Sequence, residues 1–310
     1  MEFAHKPIML SECIDALKIK SNGIYADGTV GGAGHSLHIA AKLDFKAGGR
    51  LICLDRDPDA VATSSERLKS MPQATVHHRN YSEIVSLLKE LNINGLDGML
   101  LDLGVSSFQL DCAERGFSYR SDAPLDMRMS KSGLSARDVV NTYSEKELSD
   151  IIFRYSEEKF ARRIAAEIVR RREKAPIETT FELAEAIKAA MPAAAKREKN
   201  PCKRTFQAIR IEVNGELNHL EQALDSVFEV LNPGARLAII TFHSLEDGMV
   251  KRKFKEWCKG CTCPKDFPIC VCGNTPKAKM TPSKAIEPSQ EEQEENPRSK
   301  CARLRVLQKL

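Results

Sequence analysis

Residues 24–36 read I-Y-A-D-G-T-V-G-G-A-G-H-S, and this stretch decides the fold. A short apolar run ends on Asp27, and Gly28, Gly31, Gly32 and Gly34 follow. The spacing then turns helical through Leu37, Ile39, Ala40 and Leu43. Strand, glycine-rich turn and helix, in that order, open a doubly wound nucleotide-binding sheet. Glycine lets the backbone approach a ligand closely and take a positive φ without a Cβ clash. The helix start just beyond presents unpaired N–H groups to something polar.

The neighbouring segments repeat the pattern. Gly48 and Gly49 turn the chain into R-L-I-C-L-D (50–55), a second strand ending on an acid. Asp55 follows Gly34 by about 20 residues, the interval at which such folds place an acid on ribose hydroxyls. Pro58 at an early helical position starts the next helix. Residues 74–81 read as a third strand, and Ile84, Leu87, Leu88 and Leu91 mark an amphipathic helix after it. Residues 96–102 form a buried strand ending on a third acid, Asp102. This β-α-β-α-β succession predicts an α/β, Rossmann-like parallel sheet with its ligand at the carboxyl edge.

Strand character then lapses from about Ser106 to Arg210. It resumes at 235–242 behind a helix expected over 212–231, and F-H-S-L-E-D (242–247) marks another strand-to-helix handover. Residues 302–307 close the sheet. The chain thus divides into a cofactor-binding domain, 1–106 with 213–310, and an inserted helical substrate-recognition domain, 107–212. A short helix with Ser11 as its N-cap precedes the glycine unit, and 287–295 reads as an acidic low-complexity stretch. In the insertion, 154–174 has helical spacing and is crowded by Arg162, Arg163, Arg170, Arg171 and Arg172. Lys196, Arg197, Lys199, Lys203, Arg204 and Arg210 follow with Phe206 among them. Such charge is usually a solvated helical face, but beside the ligand edge it suits phosphate contacts to folded RNA.

With 310 residues, 42% hydrophobic and 29% charged, and a net charge of +4, the chain is an ordinary globular protein of about two domains. No basic and apolar leader opens it, and no apolar run nears the ~18 residues that cross a bilayer. The expected setting is the reducing cytoplasm, where clustered cysteines bind metal or stay as thiols. Cys13, Cys53, Cys112, Cys202 and Cys301 are scattered packing residues. Cys258, Cys261, Cys263, Cys270 and Cys272 are clustered, but their single-residue gaps are awkward for a structural zinc site, and no metal is assigned.

The glycine stretch is not G-x-G-x-x-G. An acid before the glycines and another for the ribose suit a cationic, phosphate-free nucleoside, S-adenosylmethionine, better than NAD, whose pyrophosphate prefers an arginine or a bare helix end. D-G-T-V-G-G-A-G-H-S (27–36), L-D-R-D-P (54–58), L-D-L-G-V-S-S (101–107), D-M-R-M (126–129), R-T-F-Q-A-I-R-I (204–211), F-H-S-L-E-D (242–247) and N-P-R-S-K-C-A-R-L-R (296–305) together resemble the signature blocks of the MraW/RsmH methyltransferases over almost the whole chain. The resemblance implies a Rossmann-like methyltransferase with a helical insertion. It also implies methyl transfer from S-adenosylmethionine to N4 of a cytidine in the decoding region of 16S ribosomal RNA, with the 30S subunit as partner.

By position, the resemblance places Ala33, Gly34 and His35 in the cofactor loop, Asp55 on the ribose, Tyr81 beside the adenine, and Asp102 and Gln109 on the cofactor. Ala33 stands where glycine is frequent, so its Cβ asks for a negative φ, and Phe108 stands where proline is common. Asp102, at a strand end, has two open roles: orienting the base, or holding the cofactor only. His243 is the second catalytic candidate, against a structural role. The rival functions are an N4-cytosine DNA methyltransferase, which lacks its usual [DNS]-P-P-[YFW] motif here, an NAD-linked dehydrogenase, and a non-catalytic RNA-binding protein. Oligomeric state stays open.

Overall fold

The computed structural model describes residues 7–192, 200–261, 263, 269 and 271–310. Seven strands form one sheet: β1 (Ile24–Asp27), β2 (Arg50–Asp55), β3 (Ala74–His78), β4 (Leu96–Asp102), β5 (Leu231–Thr241), β6 (Ala278–Met280) and β7 (Arg303–Lys309). Their order is β3-β2-β1-β4-β5-β7-β6. The first five pair in parallel, while β7 runs antiparallel between β5 and β6. The strand order reverses between β1 and β4, so the crevice lies at their carboxyl ends, beside Asp27 and Asp102.

Helices α1 (Leu10–Leu17), α2 (Gly34–Ala40), α3 (Pro58–Leu68) and α4 (Ile84–Glu90) precede the insertion. Helices α5 (Ser107–Asp111), α6 (Ala136–Thr142), α7 (Glu145–Ser156), α8 (Ala161–Arg172), α9 (Thr180–Ala190) and α10 (Lys203–Asn214) lie within it. Helices α11 (Glu216–Val230), α12 (Ser244–Trp257) and α13 (Gln290–Glu295) follow. The chain divides into two compact units, 1–104 with 217–310, and 105–216. Among the described residues no helix is long and apolar enough to cross a membrane.

In the first unit the strands are apolar on both faces because both faces are covered. Met99, Leu101, Leu237 and Ile239 pack with Leu87 of α4, Leu224 of α11 and Phe254 of α12. The alternate residues Leu100, Ala238 and Ile240 pack with Leu17 of α1, Ile39 of α2 and Leu68 of α3. Burial of the larger of these side chains, about 1.5–3 kcal/mol each, is what holds the layers together.

The second unit is a helical body whose buried residues include Val139, Leu148, Ile164, Leu183 and Ile209. Capping boxes start four of its helices: Ser106 with Gln109, Ser135 with Asp138, Ser144 with Glu147, and Thr179 with Glu182. Each satisfies backbone donors that a helix start otherwise leaves open.

Several local expectations differ from the structure. The helix expected through 154–174 is interrupted where Glu157 takes φ 53 and the buried Glu158 carboxylate accepts the Phe160 N–H (3.0 Å). The helix expected from 212 is broken at Gly215, φ 57, which separates α10 from α11. Strand β3 stops at His78, and Tyr81 instead opens a 3-10 turn capped by Asn80 and Glu83. Ser11 lies inside the first turn of α1, whose N-cap is Met9. In the acidic stretch, Ser289 caps α13, and Glu292 accepts the Met9 N–H at 2.7 Å.

Candidate active site

Asp27, Asp55 and Asp102 stand at the carboxyl ends of β1, β2 and β4, and the turn of 28–33 runs among them. Gly28 is required by space, since a Cβ there would sit 2.4 Å from Leu101 Cδ2 and 2.8 Å from Tyr81 Cβ. The turn is tied to its neighbours: the Gly28 N–H donates to the Leu100 carbonyl and the Val30 N–H to the Leu54 carbonyl, both at 2.9 Å. Thr29 Oγ1 accepts the Asp102 N–H at 2.7 Å. Thr29 was missed in the sequence, although a lone hydroxyl inside a glycine turn was the available signal.

Ala33 is the N-cap of α2 at φ 64, ψ 20, with no side-chain cap. The negative φ expected there is therefore wrong. The fully buried methyl packs among Val30, Ile39 and Ala40, and tight turn geometry holds it in the left-handed well at a cost of order 1 kcal/mol. Gly34 leaves room for Pro7, whose ring carbons lie 3.1–3.2 Å from where a Cβ would be. His35 is buried, and its Nε2–H donates to the Ile8 carbonyl (3.0 Å). Burial lowers its pKa against the pull of Asp27, so the ring is a neutral latch on residues 7–8.

The three acids differ in use. Asp27 accepts from Ser36 Oγ (2.6 Å) and from the Thr29 N–H (3.1 Å); burial raises its pKa against the Ser36 bond. It holds the turn to α2. Asp55 accepts from the Gly31 N–H (2.9 Å) and the Asp57 N–H (2.8 Å), yet burial pushes it up to about 6. At Asp102, burial, with Asp27 and Glu246 adding negative charge, pushes the pKa up to about 8. Its Oδ1 is buried without a hydrogen-bond partner among the described residues. The strand end that carries it is rigid, since the Leu103 N–H also donates to the Ile240 carbonyl (3.1 Å).

His243 follows β5, the neighbour of β4, and is the N-cap of α12. Its Nδ1 accepts the Glu246 N–H (3.5 Å), and Nε2 lies 3.1 Å from Glu246 Oε1. Glu246 Oε2 in turn accepts the Phe242 N–H (3.0 Å). Asp247 of the same block is structural. Burial pushes its pKa up, but a two-pronged bond to Arg305 (2.7 and 3.0 Å) and the nearby Arg303 hold it below its ordinary value. Tyr81 is partly buried against the α4 side of the sheet. Gln109 belongs to the second unit, where its side chain accepts the Ser106 N–H at 3.0 Å.

The first unit therefore brings Ala33, Gly34, His35, Asp55, Asp102 and His243 to one sheet edge. An orphaned buried carboxylate oxygen beside two other acids fits a cationic nucleoside and repels a pyrophosphate. A Rossmann-like sheet with that edge defines an S-adenosylmethionine-dependent methyltransferase. Residues 2–310 match the MraW methylase family, and the chain belongs to that family. A ribosomal RNA small subunit methyltransferase H from Clostridium botulinum (strain Kyoto / Type A2) is 54% identical over 311 residues, covering 100% of each chain. Another so named, from Lachnospira eligens, is 53% identical over 313 residues, covering 100% of this chain and 99% of its own. A solved rRNA methylase from Streptococcus thermophilus is a looser match, with TM-score 0.43 and 10% identity over 100% of this chain and 99% of that one.

Proposed function

We propose that this methyltransferase methylates N4 of a cytidine in the decoding region of 16S ribosomal RNA, acting in the cytoplasm on the 30S subunit or its RNA. The relatives' names support ribosomal RNA as the substrate class. The observation that carries the chemistry is the Oδ1 of Asp102, buried with no partner among the described residues, on a pinned strand end.

Bound S-adenosylmethionine supplies an electrophilic methyl group on a cationic sulfonium. Asp55 takes the ribose hydroxyls, the backbone of Ala33, Gly34 and His35 lines the loop, and Tyr81 flanks the adenine. Gln109 is the further cofactor contact that the family resemblance assigns. A cation at this edge draws the Asp102 carboxyl toward its ionised form. Asp102 Oδ1 would then accept one N–H of the cytosine amine, whose lone pair is otherwise conjugated into the ring, turn the nitrogen toward the methyl, and take up that proton as the N–C bond forms, the C–S bond breaks and S-adenosylhomocysteine leaves. Alignment and a fixed acceptor supply most of the acceleration. His243 is held by Glu246 where it meets base or backbone.

For RNA, the arginines of α8 are not equivalent. Arg170 and Arg171 are engaged by Glu167, and Arg172 donates to the Val140 carbonyl. Arg162 and Arg163 are exposed, and among the described residues neither enters an ion pair. These two, with exposed Lys203 and Arg204 of α10, are assigned to phosphate contacts; Lys196, Arg197 and Lys199 lie outside the described residues. The test is radiolabelled methyl transfer to 30S particles, naked 16S RNA and DNA in parallel, with nucleoside analysis of the product. N4-methylcytidine in the RNA is expected. Label in DNA alone, or at another atom, overturns the proposal.

A further inference from the structure

The segment 258–277, between α12 and β6, brings together thiols whose sequence spacing is unfavourable. The Sγ atoms of Cys261, Cys263 and Cys272 all lie within 4.8 Å of one another. Cys261 and Cys272 are 3.8 Å apart. Sulfurs at about 2.3 Å from a tetrahedral zinc lie about 3.8 Å from each other, so this pair already has the separation of two ligands. A disulfide needs about 2.0 Å.

The geometry is set by the legs of the loop. The Lys277 N–H donates to the Trp257 carbonyl at 2.9 Å, and Asn274 Nδ2 donates to the Gly260 carbonyl at 2.7 Å. These bonds close the base and set Cys261 opposite Cys272. Gly273 makes the return at φ 61, a conformation that favours glycine. The Val271 N–H points at Cys263 Sγ (3.4 Å), and a donor to sulfur stabilises a thiolate ligand. Cys258 does not join the group: it packs against the sheet helices, and burial raises its pKa. Cys270 lies outside the described residues.

The described residues of the loop supply little core to order it. Ile269 and Val271 are 74% and 73% exposed, so these two apolar side chains do not offset the entropy of fixing the backbone. A bound metal offsets that entropy, as in small metal-stapled folds.

We propose that Cys261, Cys263 and Cys272 bind a structural zinc ion as thiolates, leaving one tetrahedral position for a fourth ligand. Zinc is favoured over harder cations by an all-sulfur donor set. The site staples the loop and takes no part in methyl transfer.

The test is elemental analysis of the full chain, made without a chelating tag and kept reduced in metal-scrubbed buffer. About one zinc per chain is expected. The double variant Cys261→Ser/Cys272→Ser should carry less than about a tenth of that, while Cys301→Ser, outside the loop, keeps it. Cobalt(II) added to stripped protein should give thiolate charge-transfer absorption in the parent and not in the double variant. Metal-free protein with reduced thiols, stoichiometric copper in place of zinc, a Cys261–Cys272 disulfide by mass spectrometry, or zinc retained by the double variant each overturns the proposal.

Discussion

Replacing Asp102 by asparagine separates what this residue costs the fold from what it does for the reaction. In the ligand-free protein the carboxyl is pushed from 3.8 up to about 8 by burial and by Asp27 and Glu246. Between those two values the folded chain keeps a proton that the unfolded chain has released. The contribution of this group to stability is therefore largest below about pH 4 and is lost progressively as pH rises toward 8. The ceiling on that loss is about 1.4 kcal/mol per pH unit for one group. Asparagine keeps the shape and cannot ionise, so its stability lacks this slope. From pH 5 to pH 8 the difference in unfolding free energy should move by about 2–4 kcal/mol in favour of Asp102→Asn. Asp27 and Asp55 are present in both proteins, so their own titrations largely cancel. Urea denaturation at pH 5, 6, 7 and 8 reads the difference. Methyl transfer at saturating cofactor should fall by about 100-fold or more, because the amide oxygen of asparagine still accepts an N–H but carries no charge and cannot take up the amine's proton. Parallel pH–stability curves would refute the electrostatic reasoning, and near-parental turnover would remove Asp102 from the reaction.

Four further outcomes are expected. Gly28→Ala drives a Cβ to 2.4 Å from Leu101 Cδ2 and should cost about 1–3 kcal/mol in urea unfolding, with cofactor binding weakened in step. Arg305→Ala leaves the buried Asp247 carboxylate without its main partner and should cost about 3 kcal/mol; a loss under about 0.5 kcal/mol would mean the pair is solvated. Affinity for S-adenosylhomocysteine should decline as pH falls through about 6, where Asp55 takes up its proton, and Asp55→Asn should flatten that profile in calorimetric titrations. Arg162→Ala/Arg163→Ala should weaken RNA binding and reduce the salt slope by about 2, leaving cofactor affinity untouched; an unchanged slope removes these arginines from the phosphate contacts.

Strand ends were legible because each apolar run stops on an acid, and Asp27, Asp55 and Asp102 fall at the ends of β1, β2 and β4 as read. Their division of labour was not legible. Whether a carboxylate is consumed by a serine nine residues away, as Asp27 is by Ser36, depends on how α2 docks and not on spacing along the chain. The same holds for His35, which reaches back to Ile8, and for the Asp247–Arg305 pair, whose partners are distant in sequence. The insertion of β7 between β5 and β6 left no trace in local pattern, because sheet order is settled by packing of whole strands. Glu157 hid the break between α7 and α8, since glutamate is a good helix former and only its left-handed φ reveals the turn. The proximity of Cys261 and Cys272 was not legible either, because they are distant in sequence and meet only where the loop base closes.

The capping boxes of the inserted unit bear on how fast the sheet forms. Pairing β4 with β5 closes a loop that contains the whole of 105–216, and closing a long floppy loop is slow because its entropy is lost before the contacts are gained. A unit that has already folded replaces that floppy span with a fixed connection. Ser106, Ser135, Ser144 and Thr179 start helices from short-range bonds alone, so the insertion has the means to fold first. Alanine at these caps should slow refolding of the sheet while leaving every residue of the sheet unchanged.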